Sequence, residues 1–336
     1  MNAERQEQDR LALAGETPVA GLLCDLGTFA APHLALAHSA GRVEVLDALG
    51  RRVYRYQLSA PADRLTVLES DAGPCLVVAS IAGELTAFFD GAVRWRMDAE
   101  SYLRACEQLA PDAEAIRHSY GLRVTCLGTA WLPSGMFTNF ASTGAALEHF
   151  LLVSSAARPD LLGFVRAGQL VAVQRVPAPV TAIAAGYVHA VSTPSAGEQV
   201  IVGCEDGAIY LVIANGRRPD VNSQPQRLLQ FQHPISNIVL HAPAALPKGA
   251  TALVACTTRS NEIHLARNDE VIARWNVNEW IGYVNITAHP SQEKQQASGA
   301  RHASEKQDML VMFTAQNILL SVRINFATTN AEHHIA

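Results

Sequence analysis

The chain has 336 residues, of which 49% are hydrophobic and 17% charged, so it carries enough apolar side chains for a sizeable core and its composition excludes wholesale disorder. Its formal net charge is −5 and its pI about 6.2, which gives no overall attraction to phosphate backbones or anionic lipid and disfavours nucleic acid as a partner. The polar start, MNAERQEQDR, is unlike a secretory signal, and no apolar run reaches the ~18 residues of a membrane span. We therefore expect a cytoplasmic protein without membrane insertion.

A hairpin pattern recurs along the chain. In Val200–Leu211, VIVGCEDGAIYL, two apolar strands flank an Asp-Gly pair, and such a pair is typical of a β-hairpin because Gly tolerates the positive φ of the turn. The same pattern returns at Leu34–Leu46, Leu76–Phe88, Leu151–Phe164, Leu253–Leu265 and Leu310–Leu320. The sequence thus predicts six hairpins in a repeated unit.

Most hairpins are flanked by a further strand on each side, which gives four-stranded antiparallel units. The strands of the first unit are predicted at Val19–Asp25, His33–Ala37, Val43–Leu46 and Arg52–Leu58. Those of the second are predicted at Leu65–Leu68, Leu76–Ala79, Leu85–Phe89 and Ala92–Met97.

The pattern then changes. In Ala99–His118, the residues Leu103, Cys106 and Leu109 recur at helical spacing, and Pro111 starts a second segment, so we predict an insertion of two short helices. The third unit follows, with strands at Leu122–Ala130, Leu151–Ser154, Leu161–Val165 and Leu170–Arg175 and a long loop over 131–148.

The remaining units repeat the pattern. The fourth and fifth are predicted at Val180–Ala185, Val200–Gly203, Ala208–Ile213, Leu228–Gln232, Ile235–His241, Ala252–Cys256, Glu262–Ala266 and Val271–Val277. The sixth has a polar loop over 290–308 and only three strands, at Tyr283–Ala288, Met309–Phe313 and Ile318–Ile324. A propeller often completes its last blade with a strand from the other terminus, which removes exposed sheet edges, and Arg10–Ala14 is predicted to supply that strand.

The predicted fold is therefore all-β, a single β-propeller over residues 9–326. Its first strands start about 45 to 60 residues apart, a spacing near that of propeller repeats. Six blades are expected, or seven if the region Ser119–Glu148 contains a further sheet. The ends, 1–8 and 327–336, are expected to be disordered.

The second unit, LVVASIAGELTAFFDGAVRWRM, resembles a quinoprotein-type or WD-like propeller blade, with small residues after its second strand, Gly in the turn and an aromatic residue in its last strand. It lacks the Trp-Asp and Gly-His dipeptides of ordinary WD40 repeats. GLLCDLGTFAAPHLALAHSAGRVEVLD resembles an integrin FG-GAP blade without its metal ligands, so no metal is implied.

Two families of intracellular propeller are similar in the order of their blades. The propeller subunits of the Bardet–Biedl BBSome also have a helical insertion after an early blade, as at Ala99–His118 here. The late blade VACTTRSNEIHLARNDEVIARWNVNEWI resembles the propeller subunits of the KICSTOR assembly. Either resemblance implies a non-catalytic scaffold that binds the other protein subunits of a ciliary-trafficking or nutrient-signalling complex, with a cytoplasmic or ciliary location.

The residue patterns give little support for catalysis. No GxSxG or GxxxxGK motif is present, and the twelve histidines are dispersed, so we expect no catalytic residue, cofactor or metal. The six cysteines form no CxxC pair and are expected as reduced core residues, with Cys106 partly exposed. A propeller enzyme or small-molecule sensor with a site in the central channel remains the alternative.

Partner binding is expected where apolar residues fall outside the strand pattern. The stretch WLPSGMFTNF carries Trp131, Leu132, Met136, Phe137 and Phe140, residue types that are enriched at interface centres. We predict that these residues and Leu103 of the insertion form a docking surface. The alternative is that the loop folds back and covers its own blade.

Overall fold

Short antiparallel strands dominate this computed structural model. The structure describes residues 18–26, 32–111, 123–137, 146–189, 197–214, 219–241, 252–267, 269–277, 281–288, 308–314 and 319–324. Its internal contacts divide the chain into two units, the first comprising residues 1–180 with 216–225 and the second 181–215 with 226–336.

The first unit contains three four-stranded sheets, in each of which every strand pairs with the next along the chain. Sheet A consists of β1 (Pro18–Cys24), β2 (His33–His38), β3 (Arg42–Leu46) and β4 (Arg52–Gln57). Sheet B consists of β5 (Ala62–Ser70), β6 (Gly73–Ser80), β7 (Leu85–Phe89) and β8 (Ala92–Met97). Sheet C consists of β9 (Val124–Pro133), β10 (Leu147–Ser155), β11 (Arg158–Arg166) and β12 (Gln169–Arg175).

The turn before the last strand of a sheet packs against the preceding sheet. Asp90 and Gly91 both have positive φ, 46° and 80°, as a two-residue hairpin turn requires, and Tyr54 of β4 donates a 2.8 Å hydrogen bond to Asp90 Oδ1. The turn at Gly168 repeats this arrangement, since a Cβ there would lie 3.1 Å from the ring of Trp95 in β8. A larger residue there would press on the aromatic ring, and the φ of 79° at this position also favours glycine.

A helix, α1 (Ala99–Leu109), connects sheets B and C. Its N-cap is Asp98, whose carboxylate accepts a 2.7 Å hydrogen bond from the backbone N–H of Ser101. The side chains of Tyr102 and Cys106, one turn apart, are buried in the core that the helix shares with sheets B and C. The helix therefore closes that core and leaves its opposite face in solvent.

The cores of the first unit follow from the alternation of its strands. One cluster lies between sheets A and B and includes Val43, Val78 and Phe88. The other joins sheets B and C to α1 and includes Val77 and Val153. Residues 77 and 78 are neighbours on β6, so this strand contributes side chains to both clusters.

The second unit contains sheets D, E and F. Sheet D consists of β13 (Val180–Gly186), β14 (Gln199–Cys204), β15 (Ala208–Ile213) and β16 (Gln226–Gln230). Sheet E consists of β17 (Ile235–His241), β18 (Leu253–Thr258), β19 (Glu262–Arg267) and β20 (Glu270–Asn276). Sheet F, in the described part of the chain, has three strands, β21 (Ile281–Ala288), β22 (Asp308–Thr314) and β23 (Leu319–Ile324).

A backbone contact recurs in both units at the turn between the second and third strands of a sheet. Leu58 N–H donates to the carbonyl of Gly41 in sheet A, and Phe231 N–H donates to that of Gly207 in sheet D, each over 2.9 Å. A Cβ at Gly207 would collide with the Phe231 carbonyl oxygen. The turn glycine lets the end of the fourth strand come this close.

The predicted strands are confirmed wherever the structure describes them, since each overlaps an observed strand. The first predicted helix is confirmed as α1, while residues 112–118 of the insertion lie outside the described residues. The loop predicted over 131–148 was wrong at both ends, because β9 continues to Pro133 and β10 already begins at Leu147. Other predictions lie outside the described residues: the strand Arg10–Ala14, the disordered ends 1–8 and 327–336, and the loop 290–308 except its last residue.

Candidate functional site

The site predicted from the sequence begins at the end of β9. This strand pairs with β10 over its whole length, from Val124 opposite Ser155 to Pro133 opposite Leu147. Pro133 is tolerated because it lies at the strand end, where its missing N–H breaks no ladder bond. A 3₁₀ turn, Ser134–Phe137, follows immediately.

Trp131 lies directly opposite His149 in this ladder, and the two rings stack. Their centroids are 4.6 Å apart and their planes differ by 7°. The indole is 38% exposed, whereas the imidazole is half-buried beside it. The pair therefore presents a flat aromatic surface at the edge of sheet C.

A hydrogen bond from sheet B fixes the orientation of His149. The backbone N–H of Glu69, in β5, donates to His149 Nδ1 over 2.7 Å. Since Nδ1 accepts, the ring proton of the neutral imidazole must sit on Nε2. Burial lowers the pKa of His149 from 6.5 to about 4, so the ring is neutral at pH 7. We call Trp131, His149 and the Glu69 backbone the aromatic platform.

The other expected contacts in this stretch are covered by the protein itself. Leu132 is fully buried and Met136 is 6% exposed, so the expectation that they lie outside the core was wrong. Phe137 is half-buried, with its ring centroid 4.4 Å from that of Phe150 and 5.7 Å from that of Phe164. Phe140 lies outside the described residues. At Leu132, Met136 and Phe137 the stretch after β9 therefore folds back and covers its own sheet, which is the alternative that the sequence left open.

Trp131 and Phe137 pack on opposite faces of sheet C. His149 has the same strand parity as Val153, whose side chain lies in the core shared with sheet B, whereas Phe150 points to the other face. The stack of Phe137 on Phe150 therefore places Phe137 on the face away from the aromatic platform.

Leu103, the expected contact on α1, is partly buried against the core below the helix. Its neighbour Tyr102 donates a 3.2 Å hydrogen bond to the carbonyl of Val153. Val153 is four residues from His149 along β10, or about 13 Å. The helix and the aromatic platform thus lie at different points along one face, and Trp131 is the exposed member of the expected set within the described residues.

One charged residue next to the platform is paired. Glu148, which precedes His149, forms an ion pair with Arg166 of β11, over 2.7 Å. Both side chains are partly exposed, so the pair contributes little to stability.

All six cysteines are free and buried, which confirms their prediction as core residues. The expectation of a partly exposed Cys106 was wrong. This residue is fully buried on the inner face of α1, and burial raises the pKa of its thiol to about 11. A thiol with that pKa is a weak nucleophile at pH 7.

Among the described residues, no three or more His, Cys, Asp and Glu side chains are grouped so that they could hold a metal ion. In the same part of the chain, no helix has the length and apolarity needed to cross a bilayer.

Known structures resemble this architecture, whereas no protein-family model and no curated protein sequence matches the chain. A crystal structure of BBS1N in complex with ARL6DN, soaked with mercury, is 14% identical and aligns with a TM-score of 0.57 over 94% of this chain and 80% of that chain. A lead-soaked crystal of the same complex is 12% identical, with a TM-score of 0.55 over 95% and 94% of the two chains. Sqt1 of Saccharomyces cerevisiae is 10% identical, with a TM-score of 0.52 over 89% and 71%.

These likenesses define the class of the protein. The chain has an all-β fold of the propeller class, and the predicted resemblance to the BBSome propeller is confirmed at the level of the fold. The number of blades, expected to be six or seven, and the resemblance to KICSTOR subunits stay predictions.

Proposed function

We propose that this chain is a non-catalytic β-propeller subunit of a larger protein complex and that the aromatic platform is one of its partner contacts. The observation that carries the proposal is the Trp131–His149 pair, a large aromatic surface that is held flat and open at a sheet edge. Trp is among the residues that contribute most to binding energy at protein interfaces.

The platform is ordered before any partner arrives. Stacking on Trp131 and the hydrogen bond from Glu69 N–H hold His149, and His149 in turn limits the movement of the indole. A side chain that is already fixed loses little conformational entropy on binding, so more of its contact energy appears as affinity. A protein surface with an apolar pocket for the indole fits this geometry.

Structural neighbours support a role in assembly. In the two crystals of BBS1N, a propeller similar to this chain is in complex with ARL6DN. By resemblance to the BBSome we assign this chain to an intracellular complex of ciliary trafficking, with a cytoplasmic or ciliary location. A nutrient-signalling complex of the KICSTOR kind is the second assignment. The alternative is an enzyme or sensor at the central channel, for which the described residues offer no group of His, Cys, Asp and Glu side chains that could hold a metal ion.

The test is affinity purification of the tagged protein from its native cells, followed by mass spectrometry and sizing of the eluate. The proposal expects a stable assembly in which other subunits accompany the chain in fixed ratio. Companions shared with ciliary transport distinguish the first assignment from the second. A monomer of about 36.1 kDa under native conditions would contradict the proposed role as a subunit.

A further inference from the structure

The charges around the aromatic platform are mostly negative. The three chain segments that form it contain three acidic residues and no lysine or arginine. These segments are residues 65–73, 128–137 and 146–152. The acids are Glu69, Asp71 and Glu148. Because Arg166 of β11 pairs with Glu148, the carboxylates of Glu69 and Asp71 remain as two negative charges in excess.

Glu69 lies next to the imidazole of the platform. Its backbone N–H donates to His149 Nδ1 over 2.7 Å, and bond lengths place its carboxylate within about 9 Å of that nitrogen. Asp71 is exposed two residues further on, in the turn between β5 and β6. The Debye length at physiological ionic strength is about 8 Å, so salt screens a charge at this distance only in part. A cation that reaches the platform is therefore attracted, and an anion is repelled.

The two rings of the platform are compatible with a cation. His149 is neutral at pH 7, so it adds no positive charge of its own. The indole of Trp131 stacks on the imidazole and remains 38% exposed. The face of an aromatic ring is the negative part of its quadrupole, and Trp is the best aromatic partner for a cation. The platform thus combines an accessible π surface with negatively charged surroundings.

We propose that the partner contributes an arginine, whose side chain stacks on the Trp131 indole and is attracted by the carboxylates of Glu69 and Asp71. This inference rests on the proposed function, since it names the partner's side chain at the same platform. Arginine fits better than lysine, because its guanidinium is planar, stacks on aromatic faces and is more weakly hydrated. Its methylene stem is apolar and covers the remaining part of the ring.

Titration with a small probe tests this recognition without the partner. N-acetyl-arginine amide is added to isotope-labelled protein, the indole N–H signals are followed by NMR, and Trp131→Phe identifies the signal of Trp131. We expect a saturable shift of this signal with the arginine probe and none with N-acetyl-citrulline amide, which has a similar shape but no charge. Equal responses to the two probes, or no response to either, would overturn the proposal.

Charge variants separate attraction by the carboxylates from stacking. Glu69→Gln removes a carboxylate but keeps the backbone N–H that holds His149. At low ionic strength it should raise the Kd of the arginine probe about twofold, as expected for one charge at about 9 Å in water. The double variant Glu69→Gln, Asp71→Asn should raise it about threefold or more. Glu270→Gln, at an exposed acid of β20, is the control for the loss of one negative charge and should leave the Kd unchanged.

Pull-down of the native assembly distinguishes this inference from the proposed function. We expect the double variant to recover at least about threefold less partner than the wild type, and Glu270→Gln to recover as much. If Trp131→Ala loses the partner while the double variant retains it, the platform is a partner contact but the assigned arginine is wrong. If Trp131→Ala retains the partner, the proposed function itself is contradicted.

Discussion

The two ends of one face of sheet C hold aromatic residues in opposite circumstances. At one end, Trp131 is exposed and rests on His149, whose ring is hydrogen-bonded. About 13 Å further along β10, Tyr102 of α1 is buried and donates its hydroxyl proton to the carbonyl of Val153. The first end therefore has an open apolar surface, and the second has a closed one.

This difference separates a binding surface from a packing contact. An exposed aromatic ring with its polar neighbours satisfied gains from covering by another apolar surface, as at protein interfaces. A buried aromatic ring whose hydroxyl is bonded contributes to the stability of the core instead. The two ends are therefore expected to respond differently to substitution.

The largest effect is expected at the buried end. Tyr102→Ala removes a 4% exposed aromatic side chain from the core and should lower the free energy of unfolding by about 3–5 kcal/mol, measured by urea denaturation. Tyr102→Phe, which removes the hydrogen bond to Val153 alone, should cost about 1 kcal/mol. Equal losses in the two variants would mean that the hydroxyl, rather than packing, holds the helix.

A smaller loss is expected for Gly163→Ala in β11. A Cβ at this position would lie 2.7 Å from Tyr102 Oη and 2.8 Å from Leu170 Cδ1, so it forces the tyrosine away from the sheet. Overpacking of this kind costs about 1–3 kcal/mol. Fluorescence or near-UV circular dichroism of the tyrosine should change with it. A neutral substitution would show that α1 does not dock through Tyr102.

The pH dependence of stability reports on the platform. The pKa of His149 is lowered from 6.5 to about 4 in the folded chain, so between these pH values the unfolded chain binds a proton that the folded chain does not. Stability should therefore fall as the pH is lowered from about 6.5 to about 4. His149→Asn keeps an oxygen acceptor for Glu69 N–H and should flatten this part of the profile.

The same titration measured by NMR tests the role of the indole. Trp131→Ala opens His149 to water, so the pKa of His149 should rise towards 6.5. This pKa would not change if Trp131 only packed against other parts of the structure. An unchanged pKa would mean that other groups bury the imidazole.

The smallest effect on stability is expected for Trp131→Ala itself. Because the indole is 38% exposed, its loss should cost about 1 kcal/mol or less, mainly the stacking on His149. Phe137→Ala, on the opposite face, should cost more, because that ring packs on Phe150 and Phe164. The reverse order would assign Trp131 to the core.

Much of the fold was predictable because hairpins are local. The residue types of Asp206-Gly207 and Asp90-Gly91 by themselves indicate hairpin turns. The alternation of apolar and polar residues in the two strands next to each turn then sets the pairing register. The C-terminal end of β9 was missed because Pro133 and Gly135 suggest a loop, whereas pairing with β10 at nine positions outweighs that local preference.

The site was predictable only in part. Trp131 stands out by residue type, but its partner His149 is 18 positions away and its support, Glu69 N–H, lies in another sheet, so no local pattern connects them. The burial of Leu132 likewise follows from strand parity that becomes visible only once β9 extends past Trp131.

The central claim, that the aromatic platform binds a partner, is tested most directly by quantitative pull-down of the native assembly with wild type, Trp131→Ala and Leu49→Ala. Leu49 is 77% exposed in the turn between β3 and β4 of sheet A, so it is a matched apolar control away from the platform. We expect Trp131→Ala to recover at least about tenfold less partner than the wild type, with a nearly unchanged Tm, as for a hot-spot residue. Leu49→Ala should recover as much partner as the wild type. Full partner recovery with Trp131→Ala would contradict the claim.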